Sequence, residues 1–179
     1  MLSKFLTERR SQILARWVTA IFDAFPSDTS RFLKSVKDQF RNPVGQTLKK
    51  SAEVLYDCLV SGEQSERFEE ALAQSIRIRA VQDSTAAQSV AFVFLLKNAV
   101  RAELAASKHQ PKGNELVKFE DRVDGLALEA FDGYMTAKEQ IYEVRANEAK
   151  RRSYKLLEAV KGTEVEINPA SSCRTTIKH

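Results

Sequence analysis

Residues 85–97 read Thr-Ala-Ala-Gln-Ser-Val-Ala-Phe-Val-Phe-Leu-Leu-Lys, and this stretch decides the fold class. Thr85 and Gln88 have the spacing of a capping box, in which the Thr hydroxyl and the Gln amide each satisfy a backbone N–H that a helix start leaves unpaired. Seven apolar residues, Val90 to Leu96, follow without interruption. A helix apolar all round belongs at the centre of a helical protein, so the sequence predicts a fifth helix here, packed on several sides and carrying Phe92 and Phe94 into the core.

Reading outward, the same periodicity repeats on both sides. Leu6, Ile13, Leu14, Trp17 and Ile21 recur at helical spacing and predict a first helix over about residues 2–24, ended by Phe25-Pro26. A short helix follows with Phe32, Leu33, Val36 and Phe40, for which Ser27, Asp28, Thr29 and Ser30 are N-cap candidates. Asn42-Pro43 is the clearest local signal: Asn caps with its side-chain oxygen, and Pro fits the first helical position because its missing N–H is not needed there. A third helix is predicted from Pro43 to about Val60, stopped by Ser61-Gly62, and a fourth from Ser65 to about Gln82, with Glu66, Glu69 and Glu70 at the positive end of its dipole.

Beyond a polar loop at Ala105–Gly113, a long helix carries Phe119, Val123, Leu126, Ala130, Tyr134 and Ile141 to about Arg151. Gly133 within it suggests a close helix contact or a slight kink. From Gly162 the chain is polar and uncapped, and a mobile tail is expected. The predicted architecture is all-α, one domain of about six helices over residues 1–153, with the last helix end and a tail over 154–179.

Composition narrows the function more by exclusion than by signature. The 179 residues suit one domain, and the scarcity of Gly (6) and Pro (4) suits long helices. With 28 basic and 24 acidic residues, the charge of +4 is no nucleic-acid footprint. The cluster Arg145, Lys150, Arg151, Arg152 and Lys155 is interleaved with Glu143, Glu148 and Glu158 and reads as a solvated helix end. Phe5-Leu6 gives way at once to Thr7-Glu8-Arg9-Arg10, which is no secretory signal, and no apolar run approaches the length of a membrane span. Cys58 and Cys173 make no disulfide framework. A cytoplasmic protein without membrane insertion is expected.

Chemistry is hard to build from these residues. His109 and His179 are the two histidines, one in a loop and one at the end, and no His-x-x-x-His, Glu-x-x-His or Cys-x-x-Cys pattern occurs. Tyr56, Cys58 and Met135 sit at helical spacing, where packing is the ordinary role. The expectation is a non-enzyme with no haem, metal or other cofactor.

Arg79 breaks the binary pattern. It falls on the stripe of Phe68, Leu72 and Ile76, whereas Arg77 follows Glu70 and Gln74 to the opposite side. A buried guanidinium requires a partner. Either it is clamped within the chain, for instance by Asp83 one turn on, or it is a recognition group for a ligand or partner, with Arg77 and Gln82 nearby. Trp17, Phe92, Phe94 and Phe131 are candidates either for an ordinary core or for the lining of an apolar small-molecule pocket.

Arg41-Asn-Pro-Val-Gly45, Ile76-Arg-Ile-Arg-Ala-Val-Gln82 with the Val90–Lys97 run after it, and Trp17 together resemble the N-terminal domain of the RsbT co-antagonist proteins, the RsbR and RsbRD type of stressosome regulator. The resemblance covers approximately residues 5–150. It implies a haemless globin-like fold, usually dimeric, serving as the sensory turret of a signalling complex in which a linker helix leads to a STAS domain that partners a scaffold protein and a kinase. About thirty residues follow Arg151, too few for a STAS domain, so a stand-alone copy of the sensor is expected. The functional expectation is a stress-signalling sensor or adaptor that forms a homodimer and contacts a regulatory protein. The alternative is a carrier or sensor of a small apolar ligand held between the helices.

Overall fold

In a computed structural model, residues 2–163 are described apart from 37, 39, 64 and 83. Asp83 therefore lies outside the described residues, as does the segment from 164 on, which includes Cys173, His179 and most of the expected tail. Every regular element described is an α-helix: α1 (Leu2–Glu8), α2 (Arg10–Asp23), α3 (Ser27–Ser35), α4 (Pro43–Ser61), α5 (Glu66–Ala80), α6 (Ala86–Val90), α7 (Leu95–Ala106) and α8 (Glu115–Thr163). The chain is all-α with a long C-terminal helix, as its periodicity predicts. No described helix is long and apolar enough to cross a membrane.

Among the described residues, eight helices stand where about six were expected, because two of the predicted helices are each divided. The first breaks at Arg9, where ψ turns to 15°, although the hydrogen bonds Arg9 N to Phe5 O and Ile13 N to Arg9 O carry the chain through. The fifth breaks at 91–94. There Val93, Phe94, Leu96 and Lys97 each donate to the carbonyl three residues back, at 3.0–3.1 Å, which is the tighter 3₁₀ pattern.

A period of three has a direct consequence for burial. Val90, Val93 and Leu96 stack on one buried row, while Ala91 and Phe94 share an exposed one. The apolar run is not buried all round, and Phe94, expected in the core, is 45% exposed. The tight turn also frees a carbonyl. Leu96 bonds to Val93 rather than to Phe92, as α-helical spacing would require, and Phe92 O accepts the buried indole N–H of Trp17 at 2.8 Å.

The chain divides into two units, Met1–Glu139 and Gln140–His179. In the first, α4 packs on α5 and α2 on α7, with Trp17, Leu55, Val93, Val100, Phe119 and Val123 sealed at the centre. Tyr56 spans the α1–α4 contact and donates its hydroxyl to Leu6 O at 2.8 Å. Of the apolar residues read into the short helix, Leu33 is buried and Phe32 and Phe40 are exposed, Phe40 lying beyond the end of α3 at Ser35. Gly133 makes no tight contact, since a Cβ there would meet only Ile76 Cγ2 at 4.0 Å.

The Asn42 cap is more extensive than the sequence suggests. Its Oδ1 accepts from Gly45 N at 2.9 Å, closing the start of α4. Its Nδ2 donates to Leu33 O at 3.1 Å and Val36 O at 2.9 Å, closing the end of α3. Gly45 is the necessary complement: a Cβ there would lie 2.5–2.8 Å from the Asn42 amide atoms. Asn42 and Gly45 of the Arg41–Gly45 motif thus serve one helix corner.

In the second unit, the described part of α8 from Gln140 carries Tyr142, Val144, Tyr154, Leu156, Leu157 and Val160 exposed. An Arg152–Glu148 pair at 2.6 Å supports this part of the helix one turn apart.

Candidate functional site

Arg79 and Glu103 are the charged residues buried among the described ones, and their surroundings differ in kind. Glu103, on α7, has cationic partners. Arg16 Nε lies 3.2 Å from one of its oxygens and Arg9 Nη1 3.5 Å from the other, so the carboxylate ties α7 to the junction of α1 and α2. Sequence reading passed over this residue, yet the signal was present: Glu103 continues the apolar stripe of Leu96, Ala99 and Val100, the same break of pattern that marks Arg79.

Arg79 has no such partner among the described residues. It sits in the last turn of α5, 4% exposed, with Nε and Nη2 sealed from water and without a hydrogen-bond acceptor. Aromatic faces surround the guanidinium instead, with its carbon 4.5 Å from the centre of the Phe92 ring and 5.1 Å from that of Phe25. Such contacts offset part of the cost of removing the charge from water. Burial pushes its pKa down, to about 10, which leaves it protonated at neutral pH.

Arg79 forms part of the wall of a pocket of about 740 Å³. Phe25, Pro26 and Thr29 line it from the corner between α2 and α3; Gln82 and Ser84 line it from the segment between α5 and α6, and Gln88 from α6. That segment is held in place by several bonds. The Thr85–Gln88 capping box forms as predicted, with Gln88 N on Thr85 Oγ1 at 3.2 Å and Thr85 N on Gln88 Oε1 at 3.0 Å. Two bonds from α8 flank this wall: Tyr134 OH donates to Ser84 O at 2.9 Å, and Lys138 Nζ to Ala80 O at the end of α5 at 3.1 Å.

The structure brings together some of the residues singled out from sequence and separates others. Arg79 and Gln82 share the pocket, and Arg77 is exposed on the other side of α5. The intended clamp partner, Asp83, is outside the described residues. Trp17 and Phe92 are core residues joined by the indole hydrogen bond, but Phe94 and Phe131, at 45% and 44% exposed, lie on the surface. The four aromatics therefore do not line a common interior site. His109 is held by stacking, its ring centre 4.5 Å from that of Phe5.

The first unit is thus an all-helical domain in which a buried arginine, with no acceptor at Nε or Nη2 among the described residues, borders a pocket. Its family is shown by comparison: the chain belongs to the RsbT co-antagonist protein rsbRD N-terminal domain family, which it matches over residues 11–149. Membership makes it a regulatory domain of stress signalling, from a family not known for enzymes. No curated protein and no solved structure matches the chain.

Proposed function

We propose that this protein is a cytoplasmic sensor or adaptor whose output is protein–protein contact, made as a homodimer through the exposed apolar positions of α8 beyond Gln140. The observation that carries the reading is the row Tyr142, Ala149 and Leu156, spaced by seven residues and exposed. A repeat of seven keeps apolar side chains on one side of a helix that pairs with a second helix. Apolar residues exposed along such a row mark an interaction surface. Two identical chains meeting along this row would satisfy both with one symmetric contact.

Cross-linking tests the arrangement. In a background in which Cys58 and Cys173 are replaced by Ser, Ala149→Cys is expected to form an interchain disulfide rapidly under mild oxidation, whereas Lys150→Cys, one residue off the row, forms it slowly. Equal and slow oxidation of both would remove the row as the dimer contact.

The alternative, a carrier of an apolar ligand between Trp17, Phe92, Phe94 and Phe131, loses its support with the exposure of Phe94 and Phe131.

A further inference from the structure

Arg10 and Arg101 show what an arginine of this protein does when it meets a carboxylate. Arg10 presents Nε and Nη2 to the two oxygens of Asp57 at 2.7 and 2.8 Å, and Arg101 presents the same two nitrogens to Glu120 at 2.7 and 2.9 Å. This is the two-pronged edge of the guanidinium, whose spacing matches a planar carboxylate. At Arg79 it is Nε and Nη2 that are buried and unsatisfied. A buried donor without an acceptor costs free energy, more so when it is charged.

We infer that the pocket at Arg79 binds a small organic carboxylate, which takes the free Nε/Nη2 edge, while Thr29, Gln82, Ser84 and Gln88 face the polar remainder of the ligand. The inference supplies a ligand class for the sensory reading above and rests on that reading only for its meaning in signalling. A carboxylate suits the site better than a larger anion because Phe25 and Phe92 lie against the guanidinium and favour a flat group beside it.

Nε and Nη2 are closed to water, so the ligand reaches them only when a wall of the pocket gives way. Phe25, Val81, Gln82 and Ser84 belong to those walls. Because Tyr134 of α8 is bonded to Ser84 O, displacement of Ser84 on binding is felt directly by α8. A ligand that binds the opened form better than the closed one shifts the balance between them.

Thermal unfolding of the full chain, with sodium acetate or sodium lactate titrated against sodium chloride and sodium phosphate at matched ionic strength, tests the assignment. Acetate or lactate is expected to raise Tm saturably, with lactate the tighter of the two. The apparent affinity is expected to fall at least tenfold in Arg79→Lys, which keeps the charge but loses the fork, and to vanish in Arg79→Leu. Gln82→Leu, at a half-buried wall position, is expected to weaken lactate several-fold and keeps the test open if the Arg79 variants fail to fold. A response to phosphate without one to acetate or lactate would overturn the carboxylate assignment. So would the absence of any response in the wild-type chain, or an equal response in Arg79→Leu. If a response appears only in Asp83→Asn, the chain's own Asp83 occupies the edge and the inference is wrong. A monomeric chain that still binds lactate would instead count against the dimer reading alone.

Discussion

Arg79 lies over the ring of Phe92, its guanidinium carbon 4.5 Å from the ring centre, and among the described residues no acid stands within bonding reach. An arginine that clamps a fold by an ion pair would behave differently from this one. Removing one partner of a buried pair costs about 3–5 kcal/mol because the other charge is stranded. Among the described residues there is no stranded charge to leave behind, so Arg79→Leu is expected to hold stability within about 1 kcal/mol of wild type, or to raise it. Arg77→Ala, exposed on the same helix, is the control, with a change below about 0.5 kcal/mol. Denaturant melts of both decide between clamp and recognition group, and a loss of several kcal/mol at Arg79 would restore the clamp.

The two phenylalanines of the tight turn separate sharply. Phe92→Ala, at a site 2% exposed, is expected to cost about 3–5 kcal/mol, the usual loss for a buried aromatic. Phe94→Ala, on the exposed row, is expected to cost less than about 1 kcal/mol. Comparable losses would mean that the 91–94 segment is an ordinary helix with both faces covered.

The helix corner gives a coupled pair. Asn42→Ala removes three hydrogen bonds that close two helices and is expected to cost about 2 kcal/mol or more. Gly45→Ala introduces a Cβ into the space of the Asn42 amide and is expected to cost a similar amount. In the double variant the clash has disappeared with the amide, so the loss is expected to be well below the sum. Strict additivity would show that the two residues act separately.

Asn42 also marks what the sequence makes legible. The Asn-Pro start of α4 and the Thr85–Gln88 box are local chemistry, written in residues three apart, and both form as read. The burial of Arg79 followed from its place on an apolar stripe. The break at Arg9 did not, because neither Gly nor Pro marks it, and the Glu103 contacts that accompany it are distant in sequence. Nor did the 3₁₀ turn at 91–94, since an unbroken apolar run carries no sign of a change from a period of 3.6 to one of three, and that change alone puts Phe94 outside. Whether Arg79 has a partner is a tertiary fact that no helical wheel contains.

Tyr56 supplies a pH signature. Burial pushes its phenol up, well above the value near 10 of a free tyrosine, so the fold favours the neutral form. Its stabilising contribution is complete below pH 10 and declines above it, as the unfolded chain ionises while the folded chain does not. Tyr56→Phe is expected to cost about 1–2 kcal/mol at neutral pH, through the loss of the bond to Leu6 O. Its stability is expected to fall less steeply than that of wild type between about pH 10 and 12. Parallel curves would place the Tyr56 hydroxyl in water.

The mass of the chain in solution tests most directly whether it acts as a paired regulatory domain. Light scattering on the purified protein at micromolar concentration is predicted to give twice the 20.2 kDa chain mass, and a variant carrying Tyr142→Glu and Leu156→Glu is predicted to give the single chain mass with its helical content retained. A wild-type protein that remains at the single chain mass up to high micromolar concentration, or a double variant that stays dimeric, would contradict the account.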